Sequence, residues 1–158
     1  MESEIERFTQ KMTLFCLIIV VMFRCSSLVG KSLKRGKQLL RLSPACNSVG
    51  SILHELNHAV GFDHEHNRSD RDRYIKIIKE NVIPSMTHNF KKLDPKEEKL
   101  IGKFDPDSIM IYGHGAFSKH PTLYTIESRD GRRLKDMWNK SLSVGDIMKI
   151  NILYNCPV

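Results

Sequence analysis

The sequence predicts an α+β fold, and three observations carry that prediction. Short segments rich in Gly, Ser and Lys with small apolar pairs precede one amphipathic helical pattern over 49–60. From about residue 104 onward Gly, Pro and Asp break the chain into turns and irregular strands, and a second helical pattern over 143–155 closes it. Short strands and helices thus share what 158 residues, 41% hydrophobic and 27% charged, can bury as one core. There is no internal repeat and no low-complexity tail.

Residues 12–23, "MTLFCLIIVVMF", form an unbroken apolar run. It is too short for a membrane span and suits the apolar region of a signal peptide. The mixed charges of "MESEIERFTQK" before it are unlike a signal, and the β-branched Ile18, Ile19, Val20 and Val21 equally suit a buried strand. Both readings stand at this level. Taking the first, residues 1–23 are an N-terminal segment and 24–158 the domain, and no stable membrane span is expected.

Residues 24–50 read as short strands and turns up to the helix start. Over 49–60, Ile52, Leu53, Leu56, Ala59 and Val60 recur at three- and four-residue spacing, and Gly61 stops the helix. Asn57 is expected to face outward. A charged turn and a short apolar element fill 68–84, ended by Pro84, and a helix broken at Asp94-Pro95 is expected over 86–100. In the last helix Ile147, Ile150, Leu153 and Tyr154 are expected to share the inward face behind a Ser143 cap.

The formal charge is +7, but the basic residues have no aromatic interleaving and no nucleic-acid motif. A solvated basic face is expected, and no nucleic-acid partner. Cys16, Cys25, Cys46 and Cys156 contain no CxxC pair. Wide spacing suits disulfides and an oxidising compartment, and sequons at Asn67 and Asn139 point the same way. A secreted, extracellular location is expected.

The chemistry lies in "HELNHAVGFDH", residues 54–64. His54 and His58 are four apart and stack on one helix face, so both can address one metal. Imidazoles suit zinc, and three protein ligands with an open position make a catalytic site. Glu55 lies about 100° around the helix, so it is no matched ligand but reaches the attacking water as a general base. Gly61 can turn the chain back in the left-handed conformation, and His64 then completes a tripod.

"HELNHAVGFDHEHNRSDRD" (54–72) resembles the zinc signature of the metzincin peptidases, and in its details the astacin family: Glu65, Arg68, Asp70, Arg71 and Asp72 match the family pattern. "FDPDSIMIYG" (104–113) is similar to the family's Met-turn, with Ile111 where many members have histidine. "CSSLVG", "GKQLLRL", "NFKKL", "AFSK" and "LSVGDIMKINILYNC" extend the resemblance over about 24–158.

The resemblance implies a zincin-like two-lobed metalloprotease fold with a truncated N-terminal sheet, an active-site helix and an irregular C-terminal lobe ending in a helix. It implies one zinc ion on His54, His58 and His64, and Glu55 as catalytic base. Met110 is the apolar floor of the site, and Tyr112 an extra ligand that swings to the developing oxyanion. Ser26, Ser27, Leu28 and Val29 are the edge strand along which a protein or peptide substrate pairs. Cys25 and Cys46 are expected to form a disulfide. Cys156 would find its family partner in upper-lobe strands that have no counterpart here, with Cys16 as substitute if the apolar run stays in the fold. The implied function is a zinc-dependent metalloendopeptidase. The shortened upper lobe supplies the second reading, a zinc-binding or interaction module without activity.

Overall fold

Two small sheets and two helices carry the described chain, which in this computed structural model comprises residues 16–21, 25–30, 37–46 and 48–156. Strand β1 (Cys16–Val21) pairs in parallel with β2 (Lys37–Leu42), in register from Cys16 opposite Lys37 to Val21 opposite Leu42. The described part of the apolar run is thus a strand, as its β-branched residues favour. The rest of the segment read as a signal lies outside the described residues. Along β2, Gln38 and Leu40 turn inward and Leu39 outward, the period-two alternation of a strand.

Ser26 bridges Arg41 through two antiparallel hydrogen bonds of 3.0 and 2.9 Å. The ladder expected over 26–29 is confined to that bridge. Beyond it the chain leaves the sheet, because Gly30, at φ 73°, donates its N–H to the His58 carbonyl at the end of the next helix. Leu28 and Val29 are consequently exposed. Cys25 and Cys46 are joined by a disulfide, which ties this segment to the approach of that helix.

Helix α1 (Val49–Val60) begins at Ser48, whose hydroxyl accepts from the Ser51 N–H at 3.1 Å. It ends at Gly61, φ 120°, whose N–H caps the Asn57 and His58 carbonyls. Its buried face is polar: Ser51, His54, Glu55, Asn57 and His58 lie there with Gly50 and Ala59. Asn57 is 3% exposed, which corrects the outward expectation. It stands one turn from His54, so the face that presents the histidines must carry Asn57 as well. Gly50 permits the 3-10 turn Met137–Asn139 to lie directly on α1, since a Cβ there would meet the Met137 and Lys140 carbonyls.

The apolar core is built on the C-terminal side, from Ile75, Val82, Phe90, Phe104, Ile111, Ile126 and Leu134. Strand β3 (Ile75–Ile77) pairs antiparallel with β4 (Ile126–Ser128), each contributing one fully buried isoleucine. The helix expected over 86–100 is instead a 3-10 helix, Pro84–Phe90, followed by loop. Asn67 explains this: its amide donates to the Asn89 and Lys91 carbonyls, and its own carbonyl accepts from Leu93 N–H. Those groups are then lost to helix propagation. The same bonding buries the Asn67 amide, so in the folded chain this sequon offers no accessible acceptor.

Helix α2 (Val144–Tyr154) starts in a full capping box between Ser143 and Asp146. Its phase differs from the expectation. The inward positions are Asp146 (3% exposed) and Lys149 (5%), followed by half-buried Ile150 and Leu153, while Ile147 is 47% exposed. Two charges, not the isoleucines, set the rotation of the helix. Tyr154 Oη donates to the Val60 carbonyl at 2.9 Å, which docks α2 on the end of α1. Among the described residues Cys156 has no disulfide partner, and the Cys16 side chain lies outside them. Among the described residues no helix is long and apolar enough to cross a membrane.

Candidate active site

One turn of α1 separates His54 from His58, and the reversal at Gly61 returns His64 to them. His64 Nε2 lies 3.2 Å from Nε2 of His54 and 3.2 Å from Nε2 of His58. The opposite nitrogens are fixed by main-chain carbonyls: His54 Nδ1–H donates to Ile109 O at 3.0 Å, His58 Nδ1–H to Phe62 O at 2.7 Å. A carbonyl can only accept, so both rings carry their proton on Nδ1 and present bare Nε2 lone pairs to one point.

Bare nitrogens this close repel unless a cation sits among them. Tetrahedral zinc with bonds of about 2.0–2.1 Å places its nitrogen ligands about 3.3 Å apart, a spacing that the two His64 distances match. Burial keeps them neutral, as metal ligation requires. It holds His54 down at about 4, depresses His58, and pushes His64 well below its ordinary value. The three side chains suit one metal ion, and their donor set suits zinc.

Glu55 points into the same cleft. Burial raises its carboxyl to about 7, against the pull of a hydrogen bond from the Ser27 main chain. Its Oε2 is buried and has no hydrogen-bond partner among the described residues. Tyr112 lies across the site with its ring centroid 4.6 Å from His64 and 3.9 Å from His66. Burial, then the Glu55 charge, raises the phenol to about 12, so it stays protonated. The cleft, about 490 Å³, is lined by Ser26, Ser27, Glu55, Tyr112, Phe117 and Trp138 among others. Leu28 and Val29 are outside this lining.

Met110 is 2% exposed, and its carbonyl accepts from the Glu65 N–H at 3.0 Å, linking its turn to the residue after the third histidine. Sequence reasoning missed the supports behind the ligands: the Ile109 carbonyl, Lys140, Asp146 and Lys149. A legible signal was the pair Asp146 and Lys149, one turn apart and the only charges on a mostly apolar helix. Charges so placed are buried only when they have partners.

The family model for astacin (peptidase family M12A) matches residues 7–155. The chain belongs to the astacin family. It is 50% identical over 137 residues to astacin-like metalloprotease toxin 1 of Loxosceles intermedia, covering 85% of this chain and 52% of the toxin. It is 40% identical to human tolloid-like protein 1, covering 84% of this chain and 13% of that protein. The solved structure of high choriolytic enzyme 1, a hatching enzyme zinc-protease from Oryzias latipes, superposes with a TM-score of 0.80 at 40% identity. That alignment covers 89% of this chain and 69% of the enzyme. The match supports the zincin-like architecture with a short N-terminal sheet, and the chain spans about half the length of the Loxosceles toxin it matches.

Proposed function

We propose that this chain is a zinc metalloendopeptidase that hydrolyses peptide bonds in protein or peptide substrates. The observation that carries this reading is the convergence of three neutral histidine Nε2 atoms beside a buried carboxylate oxygen without a partner among the described residues. His54, His58 and His64 would hold the zinc ion, whose chemistry when bound would be Lewis acidity toward a water near neutral pH. The remaining work falls to the chain's own groups. Glu55 Oε2 takes the proton of the attacking water and returns it to the leaving nitrogen. The protonated Tyr112 hydroxyl donates to the oxyanion that develops on the scissile carbonyl. Ser26 and Ser27 line the cleft; both main-chain groups of Ser26 are taken by Arg41, so an extended peptide would pair at Ser27, before Leu28 and Val29 diverge. Met110 closes the floor. The Cys25 to Cys46 disulfide supports a secreted, extracellular setting, because such bonds persist in oxidising compartments.

The test is zinc stoichiometry together with cleavage of a denatured protein, with and without chelator. One zinc per chain and chelator-sensitive cleavage are expected, with Glu55→Ala retaining zinc and losing cleavage. A wild-type chain that holds one zinc and cleaves nothing would reject the peptidase reading in favour of a zinc-binding module.

A further inference from the structure

We propose that Asp146 and Lys140 are positioning residues: together they hold the turn at 108–111 so that the Ile109 carbonyl fixes His54 with its proton on Nδ1. The proposal rests on the reading of His54 as a metal ligand, and it concerns how this chain keeps that ring ready.

The Ile109 carbonyl can set the His54 tautomer only if it is itself held still. Asp146 grips the donor side of the turn. Its Oδ2 accepts from the Ile109 N–H at 2.9 Å, and its Oδ1 accepts from the Ser108 hydroxyl at 2.6 Å. Ser108 Oγ in turn accepts from the Met110 N–H at 3.0 Å. Lys140 grips the acceptor side, donating to Ser108 O at 2.9 Å and Ile111 O at 3.5 Å. The turn is thus held by an anion on its N–H groups and a cation on its carbonyls, and Ser108, Ile109, Met110 and Ile111 are at most 2% exposed.

A purely structural account explains less. Helix capping needs Asp146 only for the Ser143 N–H, at 3.0 Å, yet both of its oxygens reach the turn. Lys140 feels four carboxylates, those of Asp146, Asp107, Asp105 and Asp136, but its hydrogen bonds go to the turn carbonyls. Charge balance alone would have placed the ammonium on a carboxylate.

Nitrogen-detected NMR of the histidine rings in the metal-free chain tests this without reference to cleavage. Wild type is expected to show His54 as the Nδ1–H tautomer alone. Lys140→Met and Asp146→Asn are expected to give a mixture of tautomers and, by chelator competition, about tenfold weaker zinc binding. Lys140→Arg restores the single tautomer. Ser143→Ala, which loosens the helix cap and leaves the turn bonds in place, lowers the melting temperature and changes neither readout. If Asp146→Asn does not fold, Lys140→Met decides alone. Folded Lys140→Met with the wild-type tautomer and zinc affinity overturns the proposal, as does an equal shift in Ser143→Ala. A chain that passes this test and cleaves nothing overturns the peptidase reading only.

Discussion

Lys149 Nζ lies 2.7 and 2.8 Å from the two carboxylate oxygens of Glu65, and both side chains are more than nine-tenths buried. Glu65 directly follows the third histidine, so the pair ties the end of the site to α2. Arg68 at 3.5 Å and the Asp105 N–H at 2.7 Å complete the carboxylate's partners. Lys149→Met leaves a buried anion short of its main partner and is expected to cost about 3–5 kcal/mol in urea unfolding. Adding Glu65→Gln removes the stranded charge, and the double variant is expected to recover much of that loss.

Gly50→Ala reverses a usual sign. In an ordinary helix interior this change stabilises by about 1 kcal/mol. Here the new methyl meets the Met137 carbonyl and lies 2.8 Å from that of Lys140, both backbone atoms of a packed turn. A net loss of about 1–3 kcal/mol is expected from denaturant titration. The displaced turn carries Met137 and Trp138 of the cleft wall. Trp138 is the sequence's single tryptophan, so its emission reports the movement directly.

Tyr112→Phe keeps the ring against His64 and His66 and deletes only the hydroxyl. Zinc content is expected to stay unchanged, while kcat falls by about 100-fold with little change in KM. A proportional rise in KM would instead assign the hydroxyl to substrate binding.

The metal-free chain is expected to lose stability as the pH falls below 6.5. His54 and His66 titrate at about 4 and about 3 in the folded chain, against 6.5 when unfolded, and His58 and His64 are lowered too. Below 6.5 the unfolded chain therefore binds protons that the folded chain refuses, and above it these histidines contribute no pH dependence. Glu55, raised to about 7, acts in the opposite sense, and Asp63 and Glu65 share its direction. Glu55→Gln should thus steepen the loss between pH 6.5 and 4 in melting experiments with chelator. A flat profile for Glu55→Gln over that range would contradict the buried neutral histidines.

The metal tripod was legible in the sequence because it is a local construction. The i, i+4 spacing of His54 and His58 and the glycine hinge at Gly61 obey helix geometry that no distant contact has to supply. α1 was legible for the same reason, whereas β2 was read from the resemblance of "GKQLLRL" to a strand of the family. What failed was phase and partnership. Asn57 and Ile147 were assigned outward and inward by polarity, and each faces the other way. Asn57 must follow His54 around α1, and α2 is rotated by the long-range bonds of Asp146 to Ile109 and of Lys149 to Glu65. The loop over 91–100 likewise took its shape from Asn67, more than twenty residues away in sequence. Residue types and their local spacing give the atoms that can bind a metal and activate water. How those atoms are aimed depends on long-range contacts, because burying a charge is tolerable only where folding brings its partner.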